Sequence, residues 1–257
     1  MDIFVIASGI AAYLALGSIY WSLGQRQTAL KYFEDATIAL AFIFIVQLIF
    51  SITSELASMV GLNFDLWNIL EVSNICSTAS GIFWEASRKA VDMIFFVETE
   101  KAILASTPLT APLVSVLSGA TGWSLSELSL VAIIYMHYSF VAQVFSMVSS
   151  YLFALGTTLT PIPRLRKIGI SLISLYLSTS LAIAFSSQVT AEALSKIKVP
   201  QAINPADWIN IAGIIGDAAV ELGRSLTLSI FASTLATIGG IGLASIFDTV
   251  MISVLRT

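Results

Sequence analysis

The stretch LSLVAIIYMHYSFVAQVFSMVSSYLFAL, residues 128–155, holds no Asp, Glu, Lys or Arg and is the longest apolar run in the chain. Glu127 opens it and Gly156 closes it. A helix of about 20 apolar residues crosses the hydrocarbon of a bilayer, so this run is long enough to span while tilted. Hydrocarbon offers no partner to a backbone N–H or C=O, which leaves helices or a closed barrel as spanning structures. The run lacks the alternation of a strand, and that selects the helix.

Working toward the C-terminus, Thr160-Pro161-Ile162-Pro163-Arg164-Leu165-Arg166-Lys167 reads as a rigid basic turn, after which residues 168–187 return across the membrane. Residues 188–205, with Lys196, Lys198, Pro200 and Pro205, read as an exposed loop. Residues 207–224 are apolar but carry a polar stripe, and residues 225–255 form a last hydrophobic run with Asp248 near its end.

Working toward the N-terminus, residues 102–123 are apolar enough to enter a bilayer, but Pro108 and Pro112 interrupt a helical hydrogen-bond ladder, which predicts a re-entrant or kinked segment. Upstream, acidic and basic residues are spread through apolar sequence. Trp84, Val91, Ile94 and Phe95 share one helical face while Glu85, Arg88, Lys89 and Asp92 crowd the other, which predicts an amphipathic helix lying along the membrane. Residues 36–52 and 3–23 are two further uncharged runs, joined by a short polar connection from Gln25 to Asp35. Tyr20 and Trp21 stand where aromatic rings prefer the headgroup level. The chain start has no basic segment before its apolar run, so that run is expected to be a retained first helix rather than a signal peptide.

Composition agrees with this reading. Hydrophobic residues make up 57% of the 257, charged residues 11%, and the mean hydropathy is +0.91, whereas a soluble domain is about 25% charged. The expectation is an all-α, polytopic integral membrane helical bundle, a single membrane domain over residues 1–257 with about five to seven membrane segments, some of them amphipathic or re-entrant. A net charge of −4 excludes a broad basic surface for nucleic acid. The single cysteine, Cys76, excludes an intrachain disulfide and a multi-cysteine metal site, and it reads as a small apolar filler. Cytoplasmic loops retain Lys and Arg, so Arg26 and Lys31, then Arg164, Arg166 and Lys167, and finally Arg256 all fall inside if the N-terminus is outside and the C-terminus is cytoplasmic. Lys196 and Lys198 then fall outside.

No residues have the spacing of a catalytic site, a cofactor site or a metal site, and the chain is expected not to be an enzyme. His137 is the lone histidine and reads as a ring hydrogen-bonded to a neighbouring helix, with a proton-relay or pore-lining role as the alternative. Gly239-Gly240-Ile241-Gly242 sits inside a hydrophobic helix and reads as close packing or a hinge. Asn210, Asp217, Glu221 and Arg224 are spaced seven, four and three apart and so fall on one helical stripe. Two readings stand for it: a solvated face on a surface helix, or a seam facing a lumen or a neighbouring subunit. Arg164, Arg166 and Lys167 read either as a topology anchor on the cytoplasmic face or as a docking point for an acidic partner or a phosphate backbone.

Leu152 to Gly156, the Pro161 to Lys167 turn and the run Ile168 to Leu177 resemble the central region of the polytopic inner-membrane subunits of type IV secretion and conjugation machines, the TrbL-like family. In size and hydrophobicity the chain is most similar, within that family, to the membrane-embedded component of the crenarchaeal DNA-import system. The resemblance implies a channel or platform subunit in the lipid bilayer that forms a homo-oligomer. It also implies a pilin-like small membrane protein and a separate ATPase as partners, and DNA as the transported substrate. Two rivals remain: a small-molecule or ion transporter using Asp217, Glu221 and Asp248, and a membrane scaffold for pilus assembly that passes nothing itself.

Overall fold

The computed structural model describes residues 2–59, 68–160, 165–198 and 210–256. Those residues form six helices and no strand: α1 (Asp2–Ser22), α2 (Arg26–Met59), α3 (Ile69–Ala105), α4 (Ala111–Leu159), α5 (Arg166–Lys196) and α6 (Ile211–Arg256). Three of them, α4, α5 and α6, are long and apolar enough to cross a membrane. The expected all-helical architecture is therefore present among the described residues, with several elements longer than their expected bounds.

Each difference has a local cause. The polar segment expected to connect the first two helices lies inside α2, because the turn is confined to residues 23–25. Gly24 adopts φ 77°, the amide of Gln25 bonds the carbonyl of Tyr20 and that of Gly24 bonds Trp21, which is the left-handed glycine stop that satisfies the last carbonyls of a helix. Pro112 does not break α4, because it is the second residue of that helix, where its missing N–H has no intrahelical partner to lose. Residues 111–123 and 128–155 are thus one helix that passes through Glu127. No break separates residues 207–224 from 225–255 over the described part either, where α6 runs unbroken from Ile211.

The chain divides into two compact units. The first comprises Met1–Asn74, Ser146–Leu181 and Thr234–Thr257. Its centre is a cluster of Phe50, Phe153 and Tyr176, with ring centroids 5.3 to 6.2 Å apart. α4 and α5 meet there at Gly156 and Gly169: a Cβ on Gly169 would fall 2.6 Å from the Thr160 nitrogen and 2.7 Å from the Gly156 oxygen. Small residues let two backbones approach where no large side chain fits. Gly17 does the same for Phe33, and Gly240 for Ser178, whereas Gly239 has open space around it.

The second unit comprises Ile75–Phe145 and Ala182–Ser233 and is a bundle of segments from α3 to α6. On α3 the fully buried residues are Cys76, Ala79, Phe83, Ala86, Ala90, Met93 and Val97. They alternate by three and four, the heptad seam of a coiled coil. α4 answers with Thr121, Ser124, Leu128, Val131, Tyr135 and Ala142. The two helices run antiparallel in register: Ser139 Oγ donates to the Ser80 carbonyl at 2.9 Å and Ser87 Oγ to the Ala132 carbonyl at 2.8 Å, one heptad apart. α3 therefore follows α4 lengthwise, and the stretch expected as an amphipathic helix is part of this longer helix. Its core face mixes the small Cys76, Ala79, Ala86 and Ala90 with Phe83, Met93 and Val97, and its other face leaves Trp84, Val91 and Phe95 exposed together with the ion pairs Arg88–Asp92 and Lys89–Glu85.

Candidate functional site

The polar stripe of α6 lies in the second unit, and its members divide by role. Asn210 precedes the helix; its carbonyl accepts the Ile214 amide at 3.0 Å, and its side-chain oxygen lies so close to Gly213 that a Cβ there would be 2.6 Å away. That is the position of an N-cap, whose oxygen covers the free amides of the first turn. Asp217 is exposed, Glu221 half-buried and Arg224 exposed.

α5 completes the arrangement with two residues expected in a loop. α5 continues to Lys196, through an acid and a base four apart: Lys196 Nζ donates to Glu192 Oε1 at 2.7 Å and stands 4.0 Å from Glu221 Oε2. A glutamate four residues before a lysine supports a helix, a signal that was available in the sequence. Glu192, Lys196, Glu221 and Arg224 line a groove of about 80 Å³ with Val189, Ala193, Ser225 and Leu228. Two carboxylates and two cations make the groove nearly neutral, and Glu192 and Lys196 are exposed, so their pairing contributes little stability. Glu127 of α4 packs flush against the same helix, where a Cβ on Gly223 would lie 2.5 Å from its Oε1.

Beneath the groove the core is held by hydroxyls. Tyr135, fully buried, has its OH 2.6 Å from Ser225 Oγ and accepts from Thr190 Oγ1 at 3.1 Å, which joins α4, α6 and α5 at one point. Phe83 stacks on the same ring at 5.8 Å.

The basic segment is divided. Arg164 lies outside the described residues, and of Arg166 only the backbone is described, as the first residue of α5. Lys167 follows it, exposed in the first helical turn. Arg166 and Lys167 thus belong to the helix and not to the turn. Cations at a helix N-terminus oppose the macrodipole by a few tenths of a kcal/mol, so helix stability does not account for them.

His137 is exposed, and its Nδ1 lies 2.7 Å from the Ile133 carbonyl of its own helix, not of a neighbouring one as expected. Cys76 is buried, as a filler should be. Glu100 was not singled out in the sequence. It continues the heptad seam of α3 three residues beyond Val97, is 2% exposed, and its Oε2 has no hydrogen-bond partner. Burial raises its carboxyl above the ordinary glutamate value. The signal that would have found it is its register with Met93 and Val97.

Among the described residues no three His, Cys, Asp or Glu side chains gather in a way that would hold a metal ion. Comparison of the chain with protein-family models, with curated proteins and with solved structures found no match.

Proposed function

We propose that the chain is a non-enzymatic channel or platform subunit embedded in the cell membrane, part of a type IV secretion-like apparatus for DNA transfer or import. Five crossings serve, α1 inward, α2 outward, α4 inward, α5 outward and α6 inward, with α3 a re-entrant helix beside α4, because Ser73 Oγ donates to the Ser146 carbonyl at 2.9 Å and so sets the start of α3 level with the apolar run of α4. The N-terminus is then outside, the C-terminus is cytoplasmic, and Arg26, Lys31, Arg164, Arg166 and Lys167 lie at the cytoplasmic face. The observation that carries the membrane reading is the set of three long apolar helices, of which α6 has only 11% of its apolar run buried within the chain. A helix so bare needs lipid on one side and leaves a face for neighbouring copies, which supports a homo-oligomer. The DNA-transfer reading rests on the resemblance of residues 152–177 to the TrbL-like family, which also supplies the pilin-like protein and the separate ATPase as partners.

The test is isolation of the assembly in mild detergent. A ring of several copies that retains a small pilin and an ATPase supports the proposal; a monomer with saturable solute uptake in liposomes overturns it. Deleting the gene separates transfer from scaffolding, because a scaffold loses pili together with DNA uptake, whereas a conduit loses uptake with pili intact. The transporter reading draws on the groove between α5 and α6, whose volume of about 80 Å³ suits an ion and a few waters, not an organic solute.

A further inference from the structure

The groove between α5 and α6 changes character along its length. One end is lined by Glu192 and Lys196 of α5 and by Glu221 and Arg224 of α6, the other by Val189 of α5 and Leu228 of α6. The two helices run antiparallel here, since Lys196 stands 4.0 Å from Glu221 while Thr190 and Ser225 meet on the Tyr135 hydroxyl. The steps from Lys196 to Val189 and from Glu221 to Leu228 are therefore the same descent, two helical turns or about 10 Å on either wall.

That descent leads into the parts of both helices that bear no charge, residues 168–191 of α5 and 225–247 of α6, each about 35 Å long at 1.5 Å per residue. The hydrocarbon of a bilayer is about 30 Å thick. α4 makes the same change at the same level: Glu127, which packs on Gly223, is the last charge before residues 128–159. Three helices thus pass from charged to apolar together. In the topology proposed above, the charged end of the groove lies among the outer headgroups and its apolar end points toward the acyl chains.

The charges at the upper end are not all engaged with one another. Lys196 Nζ donates to Glu192 Oε1 at 2.7 Å but comes no nearer to Glu221 than 4.0 Å, and Arg224 makes no hydrogen bond or ion pair with a described residue. Glu221 and Arg224, three apart on one helix, line the same groove without bonding each other. A simple anion placed there would meet the carboxylates, and a simple cation would meet the bases. A ligand with both signs satisfies both, its phosphate on the Arg224 guanidinium and its ammonium donating to the Glu221 carboxylate. A volume of about 80 Å³ admits the charged end of one headgroup and no free organic molecule. We infer that the groove binds one zwitterionic phospholipid of the outer leaflet whose headgroup carries a primary ammonium, as phosphatidylethanolamine does, with its acyl chains leaving past Val189 and Leu228.

The inference rests on α5 and α6 crossing the membrane, and the experiment reads the two separately. The full chain is reconstituted into liposomes of phosphatidylethanolamine, phosphatidylcholine and phosphatidylglycerol in equal parts and washed with alkaline carbonate. It is then released into mild detergent and weighed with its retained lipid by native mass spectrometry. One phosphatidylethanolamine per chain is expected, in about tenfold excess over phosphatidylcholine, whose methylated ammonium has no N–H for Glu221, and over phosphatidylglycerol, which has no ammonium. Glu221→Gln is expected to erase that preference, and Arg224→Gln to lower the retained phosphatidylethanolamine about tenfold. Asp217→Asn, on the same helix but outside the groove, is expected to change neither. Equal retention of the three lipids, or a preference that survives Glu221→Gln, overturns the inference. Displacement of the lipid by soluble phosphoethanolamine as readily as by phosphatidylethanolamine overturns it too, because the ligand is then a free headgroup. A chain that carbonate extracts from the liposomes sinks the crossing of α5 and α6, whereas one that resists extraction and shows no preference sinks the lipid site alone.

Discussion

The crossing of α4 and α5 at Gly156 and Gly169 gives the sharpest test of the packing. In Gly169→Ala the new Cβ would fall 2.6 Å from the Thr160 nitrogen and 2.7 Å from the Gly156 oxygen. Both are backbone atoms, and carbon–oxygen contacts ordinarily lie at about 3.3 Å or more, so the two helices must separate by roughly half an ångström or more. Overpacking of this kind costs about 1–3 kcal/mol, and the gain in helix propensity from glycine to alanine offsets about 1 kcal/mol. The expected net loss is up to about 2 kcal/mol. Gly156→Ala should cost less, because its Cβ meets the movable Cγ1 of Ile173 at 2.7 Å and backbone only at 3.2 Å. Gly81→Ala is the control: nothing lies within 4 Å of it, and it should gain up to about 1 kcal/mol from propensity alone. Thermal unfolding followed by helical circular dichroism in one detergent should order the variants as Gly169→Ala below Gly156→Ala, both below the parent, and Gly81→Ala above it. If Gly169→Ala melts at or above the parent, the close backbone approach of α4 and α5 is wrong.

Glu100→Gln should raise the melting temperature at neutral pH and leave it unchanged near pH 4. The folded chain holds the Glu100 proton to a higher pH than the unfolded chain does, so native stability falls as pH climbs from the ordinary glutamate value to the raised one, and glutamine escapes that fall. Equal pH profiles for the two proteins would show that Glu100 is not buried. Tyr135→Phe should cost about 1 kcal/mol, the low end for a lost buried hydrogen bond, because Ser225 and Thr190 each keep a carbonyl to donate to, at 2.9 and 2.7 Å. A loss beyond about 3 kcal/mol in the same unfolding assay would mean that those carbonyl bonds do not hold without the tyrosine. Replacing Arg164, Arg166 and Lys167 together by Gln should disturb the orientation of the chain more than its helicity. Unchanged impermeant labelling of the C-terminus together with unchanged DNA transfer would refute a role for the three.

Much of the architecture was legible. Apolar runs at residues 3–23, 128–155, 168–187 and 225–255, of which only the last carries a charge, Asp248, marked four of the helices, because long apolar runs without strand alternation favour helices. The spacing of Asp217, Glu221 and Arg224 placed them correctly on one helix. The extent of each helix was less legible. Pro112 looked like a break but stands at a helix start, and of the polar residues from Gln25 to Asp35 that looked like a loop, all but Gln25 fall in the first turns of α2.

The seam of α3 stayed hidden for a physical reason. Pattern reading follows large apolar side chains, and in α3 these fall on both faces: Phe83, Met93 and Phe96 are buried while Trp84, Val91 and Phe95 are exposed, and the rest of the seam is largely alanine and cysteine. Small residues gain little by burial, so they do not mark the seam in the sequence. The groove was half visible for a similar reason: Glu221 and Arg224 could be paired on paper, but Glu192 and Lys196 reach them only once α5 and α6 lie side by side. What the sequence determined by itself is helical structure and runs long and apolar enough to cross a membrane, since both follow from local composition. Which faces meet, which carboxyl is buried and which acids and bases share a groove were decided by tertiary packing, because they depend on residues far apart in the chain whose registers no local pattern records.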